Sequence, residues 1–296
     1  MTEDEAMATV AQWIEGARPR TLPNAVSPVL VGTGAAIGLG EFVWWMALGA
    51  LGLAVALIVG VNYANDYSDG IRGTDTVRTG PLRLVGSGVA NPKHVLLAAV
   101  ISLGLAAAGG VALTVASAQW WLAPVGVVCV AAAWFYTGGK RPYGYAGFGE
   151  VAVFVFFGLV AVLGTVYLQA GRVSGIDIGA AVAVGAFSSA VLVANNLRDI
   201  ETDAAAGKRT LAVLLGDRDT RNLYLALVTV PFLITTIAGF RNTWALLGFL
   251  AVPLVLPALR AVLGGATGKR LVGVLQETGL AMLLWSVATA VALALA

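Results

Sequence analysis

Cysteine and histidine occur once each in the 296 residues, as Cys129 and His94. One cysteine permits no intrachain disulfide, and one of each leaves no Cys/His metal cluster and no Ser/His or Cys/His nucleophile constellation. Charge is scarce as well: 11% of the residues are Asp, Glu, Lys or Arg, where a soluble domain has about 25%. With 58% apolar residues and a mean hydropathy of +0.85, the chain has too little polar surface to cover a water-facing globule. The net charge of +2 carries no nucleic-acid signature. Strict polar/apolar alternation is missing, which argues against a membrane barrel. The first twenty residues hold Glu3, Asp4, Glu5 and Glu15 and lack the apolar core of a secretory signal.

What the chain does have is long apolar runs. Nine stand out, at 22–39, 42–63, 94–115, 120–136, 151–168, 176–193, 223–238, 244–259 and 271–296. Most approach the roughly 20 residues a helix needs to cross hydrocarbon. The expectation is an all-α membrane protein, nine transmembrane helices in one bundle. Residues 1–20 form a cytoplasmic N-terminal segment and 21–296 the membrane domain. Sorting the connections by side puts sixteen of the eighteen Lys and Arg residues together and leaves only Arg172 and Arg241 opposite. By the positive-inside rule the N-terminus is cytoplasmic and the C-terminus, after an odd number of spans, is outside. This is the pattern of a multi-pass protein of the cell (plasma or inner) membrane. Trp44, Trp45, Trp120, Trp121 and Trp244 border the external connections and read as an aromatic belt.

The polar residues gather in the internal connections. After the second run come Asn62, Asn65, Asp66 and Asp69. If the helix continues that far, they share an arc of about 100° on one face. The sixth run ends with Asn196, Asp199 and Asp203, within about 60° of one another on a continuous helix. Hard divalent cations take oxygen ligands, and Mg²⁺ typically combines one or two carboxylates with substrate phosphates and waters. Clustered acids without a metal would repel one another. Arg72, Arg78, Arg83, Lys140, Arg141, Lys208 and Arg209 lie nearby in sequence and could neutralise a departing diphosphate. A single helix-end charge is usually just solvated. The recurrence of one face-coherent Asn/Asp pattern at two helix ends favours a site.

At these residues the chain resembles the UbiA superfamily of intramembrane aromatic prenyltransferases, which have nine transmembrane helices and two Asp-rich motifs. Asn65-Asp66-x-x-Asp69 is similar to the first motif and Asp199-x-x-x-Asp203 to the second. The usual first motif has a third Asp four residues after Asp69; here that position is Gly73, and the next acid is Asp75. This spacing, with Arg18-Pro19-Arg20-Thr21-Leu22-Pro23-Asn24, Gly80–Val85 and Ala206–Ala212, resembles the branch that prenylates 1,4-dihydroxy-2-naphthoate. By motif the resemblance covers Arg18 to Gly216, and beyond that only hydropathy matches.

The resemblance implies a polyprenyl diphosphate donor, Mg²⁺, a 1,4-dihydroxy-2-naphthoate acceptor and loss of its carboxylate as carbon dioxide. It places Asp66, Asp69, Asp199 and Asp203 on Mg²⁺, with Asn62, Asn65 and Asn196 as ligands or supporting amides. Lys140 joins the four acids in the catalytic set, and Arg141 beside it contacts diphosphate. Arg18, Arg20 and Asn24 meet acceptor or diphosphate near the first helix. Arg72, Arg78, Arg83, Lys208 and Arg209 clamp phosphate or merely report topology. Two questions stay open. Glu150 is either a helix N-terminal charge or a site acid, and Tyr63, Tyr67, Tyr136 and Tyr143 either anchor at the interface or line the acceptor pocket. Transfer to 4-hydroxybenzoate or to a phosphoribose, and a transporter with acid-lined helix ends, are the competing readings.

Overall fold

The computed structural model describes residues 8–73 and 82–296. All regular structure among them is helical. A short α1 (Val10–Gly16) precedes α2 (Pro23–Gly38), α3 (Trp44–Ile71), α4 (Pro92–Ser117) and α5 (Leu122–Phe135). One continuous rod then joins α6 (Gly149–Val153), a π-helical segment (Phe154–Val160) and α7 (Ala161–Ala170). There follow α8 (Gly175–Arg198), α9 (Ile200–Ala205), α10 (Leu211–Gly239), a rod of 3-10 turns (Thr243–Ala251) running into α11 (Val252–Leu263), and α12 (Gly268–Ala294).

Each of the nine apolar runs corresponds to one of these rods, to within two residues at the ends where it overshoots. Seven of the rods are long and apolar enough to cross a membrane. By length α2, with 16 residues, and α5, with 14, fall short. The helix boundaries follow from local chemistry. Asn91 caps α4 by accepting the Lys93 N–H, with Pro92 at the first helical position. Ser174 and Asp177 form a capping box at the start of α8. Thr210 caps α10, which bends at Gly216, where φ is +76° and ψ 175°.

The core lies around α8. Its apolar window is 67% buried, against 22% for α3, α4 and α10. Ala180, Ala181, Ala183, Ala186, Ser188, Ser189 and Ala190 are all buried. Small residues permit this, because in lipid helices associate by close backbone packing rather than by hydrophobic exclusion. Trp44, Trp120 and Trp244 are more than half exposed, as a lipid- or interface-facing belt requires.

The bundle has two chemically distinct ends. At one, Arg172 donates to the Leu39 carbonyl at 3.3 Å and Gln169 accepts the Val43 N–H. There too Asn242, next to Arg241, donates to the Ala292 carbonyl at 2.8 Å. The remaining described cations of the loops belong to the other end. Arg221 fastens α10 to the 262–266 turn there, donating to the Val262 and Ala266 carbonyls.

Candidate active site

Helix α3 runs on past residue 63 to Ile71, so Asn62, Asn65, Asp66 and Asp69 do lie on its last turns. All four are buried. They fan outward, and each engages a different segment. Asn62 donates to the Ala17 carbonyl and the Thr21 hydroxyl, both at 2.9 Å, tying down the linker before α2. In that linker Arg18 adopts a left-handed conformation (φ +55°) that is uncommon for a side-chain-bearing residue. It lies within electrostatic reach of Asp66. Asn65 accepts from the Thr137 hydroxyl at 2.6 Å. Asp66 accepts the Leu84 and Val85 backbone N–H groups at 2.7 and 2.9 Å. Its carboxylate thereby folds the 82–90 segment onto α3, which carries Arg83 to Asp69.

Asp69 is the residue at which the segments converge. One of its oxygens accepts from the Tyr145 phenol. The other lies 3.6 Å from the Arg83 guanidinium and 3.5 Å from the Lys208 ammonium. The same ammonium is 3.9 Å from Asp203. A single buried cation therefore stands between carboxylates from α3 and α9. The Tyr145 ring walls this cluster, with Lys208 Nζ 4.7 Å and Arg72 Cζ 5.5 Å from its centroid.

The local sequence explains why Lys208 reaches this place. Helix α9 ends in a Schellman motif: the Gly207 N–H bonds the Ala204 carbonyl and the Lys208 N–H bonds the Asp203 carbonyl. Gly207 supplies the positive φ of +75° that the motif needs. The chain thus doubles back, setting Lys208 against the acid it follows by five residues.

Asp199 sits where α8 gives way to α9, with φ −102° and ψ 8°, so the two helices are not continuous. The break is shallow, since the Asp203 N–H still bonds the Asp199 carbonyl. Arg198 grips the Asp199 carboxylate with two bonds of 2.7 Å. Asn196 donates to the Glu150 carboxylate at 2.8 Å.

The cations separate by location. Arg72 donates to the Thr137 and Gly139 carbonyls, both at 2.5 Å, so its fork clamps the loop after α5 onto α3. Lys140 and Arg141 on that loop are exposed, as are Arg20 and Arg209. Asn24 lies in the first turn of α2, its Oδ1 buried without a hydrogen-bond donor among the described residues. Arg78 and Asp75 lie outside the described residues. His94 is exposed at the start of α4, and Cys129 is half-buried in α5.

The Tyr143 phenol packs edge-on against Tyr136, with ring centroids 5.5 Å apart. Burial pushes Tyr143 up to about 12, so it stays protonated at neutral pH and is a donor rather than a base. Beyond Tyr63 an open apolar groove of about 480 Å³ runs between α1 and α3, lined by Trp13, Leu22, Val55 and Val59 among others.

Tyr145 and Thr137 are site residues that the sequence does not single out; only the closeness of Tyr145 to Lys140 and Arg141 in the chain points toward it.

Among the described residues no three acids or histidines converge into a ready-made metal cage. The oxygen donors come as a facing pair, Asp69 and Asp203, already bracketing a cation. Such a pair suits a Mg²⁺ ion that arrives with phosphate oxygens and keeps several waters.

A membrane-type helical bundle with paired carboxylates and buried cations at one end defines an intramembrane enzyme for a charged substrate. A model of the UbiA prenyltransferase family matches residues 25–270, and the chain belongs to that family. It is 59% identical to the 1,4-dihydroxy-2-naphthoate octaprenyltransferase of Mycobacterium tuberculosis, over 97% of this chain and 98% of that one. Identity to the enzyme of the same name from Escherichia coli K12 is 39%, over 89% and 88%. Among solved structures, a UbiA homolog from Aeropyrum pernix K1 has a TM-score of 0.68 at 16% identity, over 88% of this chain and 94% of that one. A UbiA homolog from Archaeoglobus fulgidus bound to DMAPP and Mg²⁺ has a TM-score of 0.63 at 14% identity, over 95% and 99%. These last two share the fold.

Proposed function

We propose that the protein transfers a polyprenyl group from polyprenyl diphosphate to 1,4-dihydroxy-2-naphthoate, with decarboxylation, giving the prenylated naphthalene-1,4-diol that is the hydroquinone form of demethylmenaquinone. The observation that carries this reading is the Lys208 ammonium bracketed by Asp69 and Asp203, with Arg83 beside them. The naphthoate acceptor is supported by the relatives at 59% and 39% identity. The use of Mg²⁺ is supported by the facing carboxylates and by the archaeal homolog that binds it.

Asp66, Asp69, Asp199 and Asp203 are the acids assigned to Mg²⁺, and Asp69 and Asp203 lead because they already face one shared cation. Mg²⁺, when bound, neutralises charge on the leaving diphosphate. Lys208 and Arg83 add fixed positive charge inside a buried site, where it acts more strongly than in water. Arg18 and Arg20 are assigned to the anionic groups of the substrates, with Asn24 beside them. Lys140, Arg141 and Arg209 lie exposed around the mouth, where they draw in diphosphate.

In the reaction the allylic C–O bond breaks, its electron pair leaving on diphosphate. The ring carbon that bears the carboxylate supplies the pair for the new C–C bond. The C–CO₂ bond then breaks, and its pair restores the aromatic ring. No net proton is consumed.

We also assign nine transmembrane helices, with α2 and α5 as the two short ones and 21–296 as the membrane domain. The N-terminus and the acid-bearing end face the cytoplasm, and the C-terminus lies outside. This rests on the 16-to-2 cation split and on the pairing of Arg172 and Arg241 at the opposite end.

The test is a transfer assay with purified protein in detergent. It offers dihydroxynaphthoate, 4-hydroxybenzoate and a phosphoribosyl acceptor with several diphosphate chain lengths. Prenylated product with naphthoate alone is expected. Product with another acceptor would move the protein to another branch, and no product with any acceptor would favour transport.

A further inference from the structure

Glu150 is the second residue of α6, 6% exposed, and faces α8 from a segment 46 residues away in sequence. One carboxylate oxygen accepts from Asn196 Nδ2 at 2.8 Å, and the other is buried without a hydrogen-bond partner. A buried carboxyl so sparsely satisfied is a poor structural element, because an apolar side chain would pack there without desolvating a charge. Ionisable groups at membrane depth are functional by default.

What the carboxylate supplies is the acceptor at one end of a directed chain. A side-chain amide can point either its oxygen or its nitrogen toward a neighbour, and a partner that only accepts or only donates decides between them. Glu150 draws the Asn196 nitrogen to itself, leaving Asn196 Oδ1 to accept from Asn195 Nδ2 at 3.5 Å. Asn195 Oδ1 accepts in turn from Arg198 Nη2 at 2.9 Å, and Arg198 holds Asp199 with two bonds of 2.7 Å. The chain of bonds runs from an acceptor-only end at Glu150 to a donor-only end at Arg198. Its polarity is therefore consistent throughout. A neutral residue at 150 that cannot accept would release Asn196 to flip, and the order would be lost toward Asp199.

We propose that Glu150 is a positioning residue: through Asn196 and Asn195 it orients the Arg198–Asp199 pair that meets the metal-bound diphosphate. This rests on the reading of the second acid motif as the Mg²⁺–diphosphate site. The role is that of a hydrogen-bond acceptor and not of a proton carrier: with Arg198 fixing the polarity from the donor-only end, a glutamine Oε1 can take the Asn196 nitrogen in place of glutamate.

The test uses the full-length protein in detergent and the unreactive analogue geranylgeranyl S-thiolodiphosphate. Calorimetry measures its affinity across a Mg²⁺ titration, and thermal unfolding without ligand reports fold integrity. E150A is expected to weaken analogue binding or raise the half-saturating Mg²⁺ by roughly ten- to a hundredfold, the usual effect of losing an outer-shell partner. E150Q is expected to restore both to near the parent protein. Failure of E150Q to rescue, or unchanged binding in E150A, overturns the proposal. Should E150A not fold, N196A takes its place, and unchanged binding there overturns it equally. D203N separates the two levels. If D203N binds the analogue with the parent's Mg²⁺ dependence, the site reading itself fails; if D203N loses binding while E150A keeps it, only the positioning role falls.

Discussion

Asp66 and Leu84 are joined by a buried hydrogen bond of 2.7 Å, the Leu84 N–H donating to a carboxylate oxygen whose twin takes the Val85 N–H. An acid that a motif would send to a metal is here also the acceptor that folds the 82–90 segment. Asp66→Ala should therefore lower the thermal midpoint in detergent as well as activity, since each orphaned buried N–H costs about 1–3 kcal/mol. Asp69→Asn keeps an acceptor for Tyr145 and leaves Lys208 facing Asp203, so it should lose activity with a smaller change in midpoint. Equal midpoints for the two variants would sink this distinction.

Lys208→Met removes the cation between Asp69 and Asp203. Without it the two carboxylates repel at close range. Ligand-free protein should unfold at a lower temperature than the parent, and added Mg²⁺ should recover more of that loss in the variant. Turnover should fall on the order of a hundredfold, as when one preorganised charge is lost from a buried site. Thermal scans with and without Mg²⁺ decide the first point.

Gly207→Ala tests the Schellman turn. A side chain at φ +75° costs roughly 1–2 kcal/mol. The backbone would relieve that strain by shifting Lys208 away from Asp203. Activity should drop more than stability does, and a variant that loses only stability would show that the turn does not set Lys208.

Arg72→Lys keeps the charge and removes the fork that spans the Thr137 and Gly139 carbonyls. A lysine cannot reproduce that two-pronged bond. Arg72→Lys should then be nearly as impaired in kcat as Arg72→Ala. Near-parental turnover in the lysine variant would mean that charge at the mouth, rather than the clamp, is what matters.

How much of this was legible beforehand depends on the range of the forces involved. The nine apolar runs each became a helical rod, because burying backbone polar groups in hydrocarbon leaves a helix few alternatives. The placement of Asn62, Asn65, Asp66 and Asp69 on one helix end followed from helical spacing alone. Their partners did not. One arc of about 100° reaches five different places along the chain, at residues 17–21, 84–85, 137, 145 and 208. Asn196, Asp199 and Asp203 were expected on one continuous face, and the break at Asp199 was invisible because Asn-Leu-Arg-Asp contains no helix breaker.

By itself the sequence determined the membrane bundle, its cation-rich and cation-poor ends, and the two acid-bearing helix ends. Composition, hydropathy and the 3.6-residue period act locally and need no tertiary contacts. Only the tertiary structure decided that Lys208 stands between Asp69 and Asp203, that Tyr145 walls the cluster, and that Arg72 clamps a loop instead of facing open solvent as a free charge. Lys208 and Asp203 are neighbours in sequence through the Gly207 turn, but Lys208 and Asp69 are 139 positions apart, Tyr145 and Asp69 76, and Arg72 and Thr137 65. Those contacts depend on how distant segments pack around the end of α3, which no local signal encodes.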